Sequence, residues 1–125
     1  MLGLVALGSL LAACGGGGGG STSSTPCPPA AATRAAVDHK VTICAFDIRY
    51  DTQKITTPAG QLQVTLLQKG SLPHTFTVEN TSMNLKVSGQ KEATGTLTVE
   101  AGKTYTFFCE TPGHRASMHG TIVVG

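Results

Sequence analysis

Segment 107–120, FFCETPGHRASMHG, holds one cysteine, two histidines and one methionine just before the last apolar run of the chain. Cys109, His114 and Met118 follow the spacing C-x4-H-x3-M, and His74 lies earlier in the sequence. A thiolate, two imidazoles and a weak axial thioether form the ligand set that suits copper in two oxidation states. Zinc also accepts one cysteine and two histidines but gains little from a thioether, so the methionine favours copper.

Each of these residues has a simpler interpretation when it is taken alone. A lone cysteine at the end of a buried strand is usually a small core residue, a lone histidine at a strand start is usually a surface or capping residue, and a methionine near a loop usually packs. The order His, Cys, His, Met favours a metal site. Neighbouring residues on an extended segment point to opposite sides, so if Met118 faces the site, we expect His119 to face solvent.

The elements that must position these residues are short strands. From residue 38 onward, apolar residues alternate with polar ones between turn-forming residues, which predicts an all-β domain. The first predicted strand places Cys44, Phe46, Ile48 and Tyr50 on one face. About seven to eight strands at this spacing indicate a Greek-key β-sandwich or small barrel, where loops from different strands converge at one end. The predicted strands are 41–50, 61–68, 74–78, 85–87, 97–99, 105–109 and 121–124.

The segment 107–124, FFCETPGHRASMHGTIVV, resembles the ligand loop of the cupredoxins, the small type 1 blue copper proteins of the plastocyanin and azurin type. Pro-Gly-His precedes the second imidazole and Met-x-Gly follows it, as in the azurin and auracyanin form of the loop. The resemblance implies that His74 and His114 are the imidazole ligands of one copper ion, Cys109 the thiolate ligand and Met118 the axial ligand. Residues 47–50 and 58–60 are also similar to the first strands of bacterial plastocyanin-like domains.

The chain departs from the family pattern at three places. Only 34 residues lie between His74 and Cys109, which is too few for the flap of azurins and suggests a short plastocyanin- or amicyanin-like body. Thr75 stands where many relatives carry an asparagine that ties the two ligand loops together, and we expect its hydroxyl to donate a similar hydrogen bond. Pro73 stands where azurins have a glycine whose carbonyl approaches the metal, and whether its carbonyl also does so stays open.

The predicted function is electron transfer by Cu(II)/Cu(I) cycling, in a carrier rather than an enzyme. We expect His114 to be the electron port, because Pro112, Gly113, Ala116 and residues 72–73 should form an apolar patch around its ring. Such patches suit brief, small-area encounters with redox partners.

Other copper proteins fit the sequence less well. Copper oxidases and nitrite reductases need His-x-His pairs, and binuclear centres need a second cysteine in the ligand loop; the sequence has neither. A copper chaperone or storage protein stays open as an alternative, although such proteins usually carry more Met or His residues. A structural lipoprotein domain without a redox function is the other alternative.

Residues 1–14, MLGLVALGSLLAAC, form an apolar run that is too short to span a bilayer and is typical of an export signal. The segment 11–14, LAAC, resembles the lipobox of bacterial lipoproteins, which implies that Cys14 is lipidated; plain secretion is the alternative. Residues 15–37 are rich in Gly, Ser, Thr, Pro and Ala and predict a flexible tether, leaving 38–125 as the folded domain. The protein would then be periplasmic or otherwise extracytoplasmic and anchored to a membrane.

The remaining observations concern charge and the other two cysteines. Nine basic and seven acidic residues give a formal net charge of +2, and the basic residues are scattered, so the sequence predicts no nucleic-acid partner. We expect a monomer. In an oxidising compartment Cys27 and Cys44 are expected to form a disulfide, which would close a short loop and contribute roughly 3 kcal/mol. The alternative is that Cys44 is a free, buried thiol.

Overall fold

The computed structural model describes residues 22–89 and 91–125, which form an all-β sandwich without a helix. This confirms the predicted fold class, with ten strands where about seven to eight were expected. None of the described residues belongs to a helix long and apolar enough to cross a membrane. The strands are β1 (Thr33–Ala35), β2 (Lys40–Phe46), β3 (Arg49–Tyr50), β4 (Lys54–Thr57), β5 (Gly60–Gln68), β6 (His74–Val78), β7 (Asn84–Val87), β8 (Glu92–Val99), β9 (Thr104–Phe108) and β10 (His119–Val124).

Two sheets enclose one hydrophobic core. The six-stranded sheet has the order β1-β4-β10-β9-β6-β7 and the four-stranded sheet the order β3-β2-β5-β8. Alternate residues of β5 point inward, namely Leu62, Val64 and Leu66, each with no exposed surface. Phe76 and Phe107 stack across the facing sheet with ring centroids 4.8 Å apart. The apolar alternation in the sequence therefore produces the two inner faces of the sandwich.

The predicted strand 41–50 is wrong, because the chain turns at residues 47–48 and returns as β3. Ala45 pairs with Tyr50 across this antiparallel hairpin, and Ile48 at the turn has a φ of 61°. The assignment of its inner face was wrong too. Val41, Ile43 and Ala45 pack in the core, so Cys44 points to the opposite face of the sheet.

The boundary of the predicted tether is also corrected, since residues 22–37 contribute to the folded domain. β1 adds a parallel edge strand to β4, and Cys27 is joined to Cys44 by a disulfide. The Arg34 guanidinium forms an ion pair of 2.7 Å with Asp51, whose other oxygen accepts the backbone N–H of Cys44. These contacts hold a segment of low sequence complexity against β2 and β4. The predicted signal segment, Cys14 and residues 15–21 lie outside the described residues.

Strand order brings the candidate ligands to one end of the six-stranded sheet. β10, β9 and β6 are neighbours. His74 is the first residue of β6, Cys109 directly follows β9, and Met118 directly precedes β10. Because both β6–β9 and β9–β10 are antiparallel pairs, the start of β6, the end of β9 and the start of β10 lie at the same end of the sheet.

Candidate metal centre

His74 is a buried imidazole with free nitrogens. It is 1% exposed, and neither ring nitrogen has a hydrogen-bond partner among the described residues. A buried polar group without a partner is costly, so such a group calls for a ligand or another explanation. Burial lowers the pKa of His74, an effect that nearby Asp47 opposes and the His114 ring adds to. The neutral imidazole favoured in this way is the form that binds metals.

Cys109 supplies a buried thiol beside this ring. It has no exposed surface, forms no disulfide and receives the backbone N–H of Thr75 at 3.3 Å from its sulfur. The Nδ1 atom of His114 lies 3.7 Å from the Cys109 Sγ, and the ring centroids of His74 and His114 are 5.2 Å apart. The ligand atoms of these three residues all lie within 4.8 Å of one another.

The loop that follows Cys109 is closed by its own backbone hydrogen bonds. The N–H of His114 donates to the carbonyl of Thr111 at 3.0 Å, and the N–H of Met118 donates to the carbonyl of His114 at 2.9 Å. The N–H of Cys109 in turn donates to the Met118 carbonyl at 2.9 Å. Met118 is fully buried, whereas His119 is exposed, as expected, with its Nδ1 3.0 Å from the Arg115 carbonyl. Both ends of the loop are therefore fixed next to the thiol.

Two hydrogen bonds join this loop to the segment that carries His74, and we call them the loop clasp. The N–H of Glu110 donates to Thr75 Oγ1 at 2.9 Å, and Thr111 Oγ1 donates to the carbonyl of Pro73 at 3.0 Å. Thr75 does connect the ligand loops, but its hydroxyl accepts the bond, where donation was expected. The Pro73 carbonyl has a partner in the opposite loop. On the core side, the Tyr50 hydroxyl donates to the Thr75 carbonyl, and burial raises the pKa of that tyrosine.

Two further side chains position the segment 69–73, and the sequence analysis did not single them out. Buried Gln68 donates from Nε2 to the carbonyls of Leu72 at 2.6 Å and Val87 at 3.3 Å. The Asp47 carboxylate accepts the backbone N–H groups of Ser71 and Leu72 at 2.8 and 3.1 Å. An aspartate placed at a turn is a signal for such capping, although its partner segment cannot be read from the sequence.

The donor set fits a type 1 copper ion. His74, Cys109 and His114 supply two imidazoles and a thiol within one buried cluster, and Met118 supplies a buried thioether. His74 has no hydrogen bond at either ring nitrogen, so it has a nitrogen available to a ligand. This combination of soft and imidazole ligands is the one that copper selects.

The comparisons with known proteins agree with this fold. The sequence model of the cupredoxin-like domain matches residues 22–124. The chain belongs to the cupredoxin-like family. The cupredoxin domain is similar to the sodium dithionite-reduced auracyanin from the photosynthetic bacterium Roseiflexus castenholzii, with a TM-score of 0.63 and 20% sequence identity, covering 72% of this chain and 99% of that chain. The comparison with curated protein sequences gave no match.

His114 is the least buried member of the cluster, at 8% exposed. Leu72, which is 39% exposed, comes from the segment before His74. Exposed residues of the two loops include the apolar or small Pro73, Pro112, Gly113 and Ala116 and the polar Arg115 and Ser117.

Proposed function

We propose that this protein is a one-electron carrier with a single type 1 copper site formed by His74, Cys109, His114 and Met118. The observation that carries the proposal is the buried cluster of two imidazoles and one free thiol, whose ligand atoms lie within 4.8 Å of one another. A copper ion bound there would accept and release one electron by changing between Cu(II) and Cu(I).

The residues around the cluster support rapid electron exchange, because their hydrogen bonds would limit how far the ligands move when copper changes its oxidation state. The loop clasp fixes the two ligand loops relative to each other. The N–H of Thr75 donates to the Cys109 sulfur, where it stabilises a thiolate. A frame of strand ends and backbone hydrogen bonds leaves little room for ligand rearrangement.

His114 is the proposed electron port. It is the cluster residue with the largest exposed fraction, and exposed apolar or small residues, Leu72, Pro112, Gly113 and Ala116, belong to the two loops that meet there. Redox partners of this kind bind briefly over small areas, so we propose transient protein partners for a monomeric carrier. The Cys27–Cys44 disulfide supports export to an oxidising compartment. Lipidation at Cys14 and attachment to a membrane, which rest on the sequence resemblance alone, complete the proposal.

Adding Cu(II) to the purified domain tests this function. We expect an intense visible band from thiolate-to-copper charge transfer, one bound copper per chain and a reversible one-electron couple. Cys109→Ser should abolish the band, whereas Cys27→Ser removes a cysteine outside the cluster and should leave it in place. A domain that stays colourless with Cu(II), or that binds only Cu(I), would contradict the proposal.

A chaperone or storage function has less support. Multiple accessible thioethers would be needed for that purpose, but Met83 is 6% exposed and packs in the hydrophobic core. Met118, the other methionine among the described residues, is fully buried as well, and its carbonyl accepts the N–H of Cys109.

A further inference from the structure

Asp47 lies at the turn between β2 and β3, yet its carboxylate bonds to the segment that leads into His74. Besides the two backbone N–H groups of Ser71 and Leu72, it accepts the Ser71 hydroxyl, at 3.0 Å from Oδ2. These bonds fix the position of the Asp47 carboxylate, although the groups that hold it lie 24 to 25 residues away in sequence.

Gly70 is what allows this close approach. A Cβ atom at residue 70 would lie 2.0 Å from Oδ1 of Asp47 and 2.8 Å from its backbone nitrogen. Any larger side chain would displace the carboxylate or the hairpin turn. The β2–β3 turn and the segment 69–73 consequently fit each other only with glycine at this position.

The same carboxylate reaches the ring of His74. Oδ1 of Asp47 lies 3.5 Å from Nε2 of His74, longer than an ordinary hydrogen bond but within the range of a direct electrostatic contact. With Nε2 on the carboxylate side, Nδ1 is the nitrogen left for a metal. Metal-bound histidines usually donate their other ring N–H to a carboxylate, carbonyl or water, which fixes the tautomer and raises the basicity of the ligand.

We propose that Asp47 is a positioning residue for the metal centre: its carboxylate holds the Nε2–H tautomer of His74 and directs Nδ1 toward the cluster. This inference rests on the proposed copper site and deepens it. The carboxylate also places a negative charge beside a ligand that carries part of the metal's charge. Asp47 should therefore favour Cu(II) over Cu(I), which lowers the reduction potential.

The tautomer can be measured without metal. In the apoprotein, nitrogen-15 NMR of the imidazole should show His74 protonated at Nε2 and unprotonated at Nδ1 at neutral pH. In Asp47→Ala this preference should weaken. A wild-type apoprotein with the proton on Nδ1 would overturn the proposal, whatever the outcome with copper.

The second measurement separates charge from loop capping. Asp47→Asn keeps an oxygen that can accept the N–H groups of Ser71 and Leu72 but removes the charge. Loss of a partner of this kind costs about tenfold or more in metal affinity. We expect the affinity for Cu(II) to fall about tenfold relative to that for Cu(I), which corresponds to a rise of about 59 mV in the potential of a one-electron couple.

Glu110→Gln is the matched control, because Glu110 directly follows Cys109 but its exposed carboxylate accepts from Asn84 and not from a ligand. Its potential should change by much less, since the Glu110 carboxylate bonds to Asn84, whereas the Asp47 carboxylate contacts the His74 ring directly. Equal shifts in the two variants, or no shift in Asp47→Asn, would overturn the assignment of Asp47. If the wild-type domain itself forms no charge-transfer band, the proposed function fails instead, and the NMR measurement still tests the contact between Asp47 and His74.

Discussion

Replacing Thr75 with valine removes one half of the loop clasp while it keeps the shape of a β-branched side chain. The variant loses the hydroxyl that accepts the N–H of Glu110 and that lies 3.0 Å from the hydroxyl of Thr77. Its own backbone N–H can still donate to the Cys109 sulfur. Thr75→Val therefore tests the connection between the loops without changing a ligand or the bond to the thiol.

The expected loss of stability depends on whether the two former partners of the Thr75 hydroxyl can form other hydrogen bonds. The half-buried Thr77 hydroxyl can bond to water instead, and the N–H of Glu110, on an exposed residue, loses a part-buried bond. A net hydrogen bond contributes about 1 kcal/mol. We expect the apoprotein to lose about 1 kcal/mol in free energy of unfolding. For a domain of this size that corresponds to a fall in Tm of roughly 4 to 8 °C.

Urea and thermal unfolding of the apoprotein, followed by circular dichroism, measure this loss, and copper titration measures its effect on the site. Thr75→Ser keeps the hydroxyl and should retain copper affinity, while it loses about 0.8 kcal/mol for one buried methyl group. Thr94→Val is the control, because its hydroxyl also pairs with another threonine, Thr65, but on an exposed surface. Equal stability losses in Thr75→Val and Thr94→Val would refute the reasoning.

Three further predictions concern other parts of the frame. Cys27→Ser removes a disulfide that spans 17 positions and should lower the free energy of unfolding by about 3 kcal/mol through loop entropy. The wild type unfolded in the presence of a dithiol reductant should lose the same amount, and an unchanged stability would contradict the estimate. Met118→Leu nearly conserves buried volume and should lower the free energy of unfolding by less than about 1.5 kcal/mol. The visible band should persist, and the measured reduction potential should shift because the axial ligand is lost. Loss of the band would show that the charge-transfer site needs the thioether. Gly120→Ala would place a Cβ 2.3 Å from the carbonyl oxygen of Gln53 and 2.4 Å from Cζ of Phe107, so calorimetry should show a loss of about 1 to 3 kcal/mol.

The clustering of the candidate metal-binding residues was predictable from the sequence. Cysteine, histidine and methionine are uncommon, and here they lie next to strands that the alternation of apolar residues reveals. A single assumption, that loops at one end of a sandwich converge, then brings His74 close to Cys109. The structure places these residues together because β6, β9 and β10 are neighbours.

The hairpin at residues 47–48 could not be predicted from the same alternation. Phe46, Ile48 and Tyr50 continue an apolar pattern of period two, so the turn gives no break in the periodicity. The turn also places Ile48, a β-branched residue, at a positive φ, which residue preferences argue against. Assigning the face from this pattern put Cys44 on the inner side, because a shift of one residue exchanges the two faces of a strand.

The start of the domain was misplaced for a different reason. Composition reports whether a segment can form a core of its own, and residues 22–37 cannot. They are ordered by contacts distant in sequence instead: the Cys27–Cys44 disulfide and the ion pair between Arg34 and Asp51. Such contacts depend on what the rest of the fold presents, so no local pattern contains them.

Pro73 and Thr75, which depart from the family pattern, are both explained by the hydrogen bonds that join the two loops. Pro73 cannot donate a backbone hydrogen bond, but its carbonyl accepts one from Thr111, and Thr75 accepts one from Glu110. The two bonds of the loop clasp thus run from the cysteine loop to the histidine segment, and the N–H of Thr75 donates the other way, to the Cys109 sulfur. Asp47 and Gln68 bond to the chain just before His74. Because separate hydrogen bonds hold the chain on both sequence sides of His74, changing one of them should move the imidazole without unfolding the site, and the reduction potential is the property that would report such a movement most directly.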